Sequence, residues 1–168
     1  MWRFRLLLSV AALAWSTAAS AAVDPAAVMV QDVHPEKFTD VGSAFNGGTV
    51  VDMDYVQALN RHLQKRAAKA LGPGQLLQVE ISDIDMAGEF EGWHHYASNV
   101  RFVRDVYPPR IDLHFILMGA DGAVVKDGER KLRDIGFADN VAPYRDDPLR
   151  YEKALIDAWV EHEFGAAP

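Results

Sequence analysis

Arg110-Ile111-Asp112-Leu113-His114-Phe115-Ile116-Leu117-Met118, then Gly119-Ala120-Asp121-Gly122, then Ala123 to Arg133, is the stretch on which the fold turns. Ile111, Leu113, Phe115 and Leu117 alternate with Arg110, Asp112 and His114, the period of a strand with one buried and one solvated face. Asp-Gly readily adopts the positive φ of a tight hairpin, so the chain is expected to reverse at Asp121-Gly122 and return as a strand to about Arg133. That pairing is antiparallel. On the N-terminal side Pro108-Pro109 interrupts backbone pairing, and a further strand is expected over Asn99 to Tyr107.

Upstream, Leu77, Val79 and Ile81 alternate with Gln78, Glu80 and Ser82. The phase then slips: Ile84 and Met86 are apolar where Asp83 and Asp85 would otherwise face the core. A bulge or strand end is therefore expected near Ser82. Ala87 to His95 reads as an exposed connection. Before this strand, Val56, Leu59, Leu63, Ala67, Ala70 and Leu71 recur at helical spacing, with Asp52 or Asp54 as N-cap and Gly72-Pro73-Gly74 as the stop. Arg61, Lys65, Arg66 and Lys69 complement the negative end of that helix. Ala26 to Val33 predicts a first strand, followed by a loop over His34 to Thr49. Near the C-terminus, Asp147-Pro148 opens a second helix whose stripe is Tyr151, Ala154, Leu155, Ala158, Trp159 and His162. The order is β-α-β-β-β-β-α. A helical crossover plus a hairpin predicts a single α+β domain with a mixed sheet of four to five strands and both helices on one face.

Residues 1–21 read differently from the rest. Arg3 and Arg5 precede the apolar run Leu6 to Trp15, and Ala19-Ser20-Ala21 offers small residues for cleavage, the pattern of a secretory signal peptide. The run is about half the ~20 apolar residues of a membrane span. The expected product is residues 22–168, periplasmic or secreted, with no transmembrane segment after the leader is removed. The chain contains no cysteine, which excludes disulfides, a lipid-modified cysteine anchor and a thiol nucleophile. With 17 basic and 24 acidic side chains its net charge is −7, and loss of Arg3 and Arg5 makes it more acidic. Nucleic acid is not an expected partner, because long-range attraction to phosphate requires the opposite sign.

Four constellations could carry chemistry. His94-His95, with Glu89 and Glu91 nearby, is a candidate metal site, although adjacent residues of a strand point to opposite faces and a solvated loop explains the same residues. Asp83 and Asp85, two apart, could project together as an acid/base pair, or could simply be solvated. The polar face bearing Arg110, Asp112 and His114, with Arg130 and Arg133 from the returning strand, is a candidate binding surface for an anion or sugar; cross-strand ion pairs on a solvated face are the alternative. Asn46-Gly47-Gly48-Thr49 lacks a phosphate-loop pattern and faces Asp52 and Asp54, so a turn is expected. Neither G-x-S-x-G nor S-x-x-K occurs. No cofactor is expected.

Tyr107 to Leu113, Gly128 to Asp134 and Asp147 to Lys153, together with His34 to Asp40 and Ile84 to Gly88, resemble a family of small exported proteobacterial proteins known as a domain of unknown function. The resemblance implies export, one domain of this length and a Gram-negative source, and brings no activity. The expected function is a non-catalytic binding or accessory protein of the envelope, with a protein or small ligand as partner. A hydrolase using Asp83 and Asp85 and a metal binder using His94 and His95 are the alternatives.

Overall fold

A computed structural model of the chain describes residues 27–43, 50–91, 99–139 and 142–165. The leader reading of residues 1–21, His94, His95 and the Asn46 to Thr49 turn lie outside them. The alternating hairpin segments form β5 (Arg110–Met118) and β6 (Val124–Arg133), paired antiparallel. The turn is a three-residue loop: Gly119 N–H bonds Ala123 O at 2.8 Å, Gly122 N–H bonds Gly119 O at 2.9 Å, and Gly122 has φ 78°. Gly122 alone carries the positive φ that the Asp-Gly pair was expected to share.

β2 (Leu76–Asp85) lies antiparallel on the other side of β5, and β1 (Val28–Asp32) parallel beside β2, so the sheet order is β1-β2-β5-β6. The phase slip in the sequence is a bulge at Ser82: Ile81 pairs Leu113, Asp83 pairs Asp112 and Ile84 pairs Ile111. The extra residue keeps Ile84 on the core face and leaves Asp83 and Asp85 on the outer face.

The crossover from β1 to β2 is α1 (Met53–Ala70), whose N-cap is Asp52, its carboxylate accepting the Asp54 N–H at 3.0 Å. Val56, Leu59, Leu63 and Ala67 are its buried stripe. The second helix, α2 (Arg150–Phe164), opens two residues later than Asp147-Pro148 suggested: Leu149 is its N-cap and makes no side-chain capping bond, while the Asp147 carboxylate holds the preceding turn by accepting the Leu149 N–H at 2.8 Å. Both helices cover the face carrying Leu77, Val79, Ile81, Ile84, Ile111, Leu113, Phe115 and Leu117. Phe115 is fully buried, edge-on to Trp159 at 5.8 Å and to Phe164 at 5.5 Å between ring centroids.

The strand expected over Asn99 to Tyr107 is confined to β4 (Arg101–Phe102). It pairs with β3 (Glu89–Phe90), in the segment expected to be an exposed connection. Among the described residues the main sheet therefore has four strands, and the ribbon is a separate two-stranded sheet. Arg101 accounts for the diversion. Its terminal nitrogens bond both oxygens of Asp40 at 2.7 and 2.8 Å, Gly88 O at 3.0 Å and Gly42 O at 2.9 Å, while its guanidinium sits 4.5 Å from the centre of the Phe90 ring. Gly88 has φ 84°, and a Cβ there would lie 2.7 Å from Phe102 O. Only glycine fits that approach.

Candidate functional site

α1 places His62, Lys65, Arg66 and Lys69 at i, i+3, i+4 and i+7, hence on one side of the helix beside its buried stripe. Together with Tyr144, which precedes α2, and Asp157 on α2, these four line a cavity of about 260 Å³. Asp157 organises its wall. One carboxylate oxygen lies 2.8 Å from His62 Nε2 and 3.2 Å from Arg66 Nε, and the other accepts the Tyr144 hydroxyl at 2.6 Å. The His62 and Tyr144 rings meet edge-on at 5.4 Å. Burial, followed by the hydrogen bond to Asp157 and its negative charge, pushes the Tyr144 hydroxyl up to about 12, so it remains a donor at neutral pH.

The acid is already engaged by these three groups. Lys65 and Lys69 have no ion pair or hydrogen bond among the described residues, and the terminal nitrogen of Arg66 comes no closer than 4.0 Å to the exposed Glu161. Positive charge in this cavity thus exceeds negative charge, in a chain that is acidic overall. The arrangement can hold an anion, with lysine ammoniums and guanidinium N–H groups as donors.

Other described cavities are built differently. One of about 390 Å³ is lined largely by Pro35, Phe38, Val41, Val50, Val51 and Met53, with Glu36 and Asp40 as its charged groups. Another, of about 220 Å³, contains Arg101 and Arg150, but Arg101 is spent on Asp40, Gly42 and Gly88, and Arg150 stacks on Tyr151 at 4.5 Å. Behind it Glu152 is buried, with one oxygen accepting the Ala87 N–H at 2.8 Å and the other without a hydrogen bond. Burial pushes the Glu152 carboxyl up. A raised carboxyl contributes stability that is complete below the unfolded-state pKa and is lost as pH rises toward the folded one. Glu152→Gln, which keeps the acceptor for Ala87, is therefore expected to melt with the parent near pH 4 and above it at pH 7. Parallel melting curves of parent and variant across that range would contradict this.

The residues singled out in the sequence are dispersed. Asp83 and Asp85 share the outer sheet face, but Asp83 accepts the Thr39 N–H at 2.7 Å and its hydroxyl at 2.8 Å, whereas Asp85 pairs with Arg110 at 2.9 Å. Burial pushes the Asp85 carboxyl up, opposed by Arg110 and assisted by Asp40 and Asp83. On the same face His114 meets Asp127 at 2.7 Å and Asp112 lies 3.9 Å from Lys131. Arg133 pairs Arg110 in register and is exposed.

Arg130 is not on that face. Residues three apart in a strand point to opposite sides, and Arg130, paired with Leu113, turns toward the helices. There it covers Phe115 at 5.0 Å and grips Glu163 through bonds of 2.8 and 2.9 Å. That bond, with help from Lys126, pushes Glu163 down to about 2. Among the described residues no group of three or more His, Asp or Glu side chains could hold a metal ion. No helix there is long and apolar enough to cross a membrane.

The α1 cleft was legible as a pattern. No acid occurs between Asp54 and Glu80, while Arg61, His62, Lys65, Arg66 and Lys69 do. Reading those cations as helix-dipole partners accounts for their sign but not for their alignment. Tyr144 and Asp157, which complete the cleft, come from far along the chain and carry no local signal.

No curated protein and no solved structure matches the chain. A family model described as a protein of unknown function, DUF3016, matches residues 26–162, nearly all of the described fold, and the chain belongs to that family.

Proposed function

We propose that this chain is an exported, non-catalytic binding protein of the bacterial envelope that captures a small anion, or the anionic end of a larger molecule, in the α1 cleft. One observation carries the reading: Lys65, Arg66, Lys69 and His62 converge on one cavity, and among the described residues neither lysine has a partner. Its size sets the ligand. About 260 Å³ falls below the ~300–1,000 Å³ of cavities that enclose drug-sized molecules. A few phosphate or carboxylate groups fit that space.

Both oxygens of Asp83 are held by Thr39 and one oxygen of Asp85 by Arg110, and this separate engagement of the two acids favours binding over acid/base hydrolysis there. Calorimetry with pyrophosphate and with citrate at low salt tests the cleft. Saturable binding is expected for at least one anion, weakened about tenfold by Lys65→Ala and abolished by Lys65→Glu/Lys69→Glu, with melting unchanged because neither lysine holds an ion pair among the described residues. Absence of binding to both anions, or a double variant that binds like the parent, would overturn the assignment.

Export rests on Arg3, Arg5, Leu6 to Trp15 and Ala19-Ser20-Ala21. Mass spectrometry of the protein produced in a Gram-negative host is expected to find a chain beginning at or near Ala22 in the periplasmic fraction. An intact Met1 species retained in the cytoplasm would contradict it.

A further inference from the structure

β6 is an edge strand: it pairs with β5 on one side and with nothing on the other among the described residues. Its outer-face residues are Asp127, Glu129, Lys131 and Arg133, all exposed and placed there by pairing with Ile116, His114, Asp112 and Arg110. Read along the strand, the signs run acid, acid, base, base. Charges on an edge normally keep other strands away. This order instead makes the strand complementary to its own reversed copy.

We propose that two copies of this chain associate through β6, antiparallel about a two-fold axis at Arg130, joining their sheets edge to edge. In that register Asp127 faces the second copy's Arg133 and Glu129 its Lys131, and the symmetry repeats both pairs. Sliding one strand by two residues sets Glu129 or Lys131 against its own copy, and parallel pairing sets like against like. The charge order therefore selects one register.

Two further observations fit it. The Arg130 residues that meet at the axis are each neutralised by their own Glu163, so the helix side brings no bare like charges together. Val125 and Ile135, near the two ends of β6, are among the most exposed large apolar side chains, at 60% and 79%, and lie beside the edge that pairing would use. Exposed apolar groups of this kind are what an interface covers.

Sedimentation velocity of the purified protein across about 1–300 µM is expected to show reversible monomer–dimer exchange. Glu129→Lys sets lysine against Lys131 twice and should weaken the dimer at least roughly tenfold. Adding Lys131→Glu reverses both signs within one chain and should restore it. Arg133→Asp, at a residue with no ion pair among the described residues, should also weaken it, and serves if Glu129→Lys fails to fold. A parent monomeric throughout the range would overturn the proposal, as would a dimer indifferent to Glu129→Lys and Arg133→Asp, or one that the swap fails to restore.

Discussion

Arg101→Ala is expected to lower stability by roughly 3–5 kcal/mol, the cost of leaving a buried ion unpaired. The Arg101 and Asp40 side chains are 14% and 11% exposed, and the substitution removes both bonds to that carboxylate at once. It also frees Gly42 O and Gly88 O, which hold the 40–43 segment and the β3–β4 ribbon together. Asp40 is itself anchored to β2, since its N–H bonds Ile84 O at 3.1 Å and its carbonyl accepts the Met86 N–H at 2.9 Å. Loss of Arg101 should therefore loosen one end of the sheet as well as the ribbon. For a domain of this size the melting temperature should fall by about 10 °C. Arg101→Lys keeps the charge but cannot span four acceptors and should lie between parent and alanine variant. A thermal unfolding series decides the matter; an alanine variant within a degree of the parent would show that the guanidinium does not hold these segments.

Phe115→Ala should be as severe, roughly 3–5 kcal/mol, because a fully buried ring leaves a cavity that neighbours fill incompletely. Phe115 sits where β5 meets α2, edge-on to Trp159 and Phe164, whose own rings lie 5.3 Å apart, with the Arg130 guanidinium above it. Removing it takes a partner from three groups. Chemical denaturation should show a lower midpoint with the slope retained, whereas a loss below about 1 kcal/mol would mean that the aromatic cluster repacks.

Local periodicity was sufficient for much of this architecture. The alternation of β2 and β5, the α1 stripe, the glycine turn and the slip at Ser82 all reflect interactions between near neighbours, so the sequence displays them directly. On α2 only Leu155 and Trp159 of the expected stripe are buried; Glu152, Ile156 and Val160 complete the buried face, while Ala158 and His162 are exposed. The β3–β4 ribbon was not legible. It depends on Arg101 reaching Asp40, 61 residues away, and two-residue strands have no period to detect. Arg130 was misplaced for a simpler reason, since its odd separation from Arg133 dictates opposite faces. The cleft lay between these cases: its basic stripe is written along α1, whereas its Tyr144 and Asp157 are supplied by folding.

Anion capture gives an acidic chain a use for a run of basic side chains next to its core. Asp157 holds His62 and Arg66 in place, Tyr144 stays protonated to donate to Asp157, and the lysines remain available at the rim. Binding of this kind should weaken as salt rises, because exposed charges are screened over a Debye length of ~10 Å at 0.1 M. The most direct test is to titrate isotopically labelled protein with pyrophosphate and follow every backbone amide by NMR. Saturable shifts concentrated at His62 to Lys69, Tyr144 and Asp157, and absent in Lys65→Glu/Lys69→Glu, are the predicted result; no shifts, or shifts centred on the outer sheet face around Arg110 and Arg133, would contradict it.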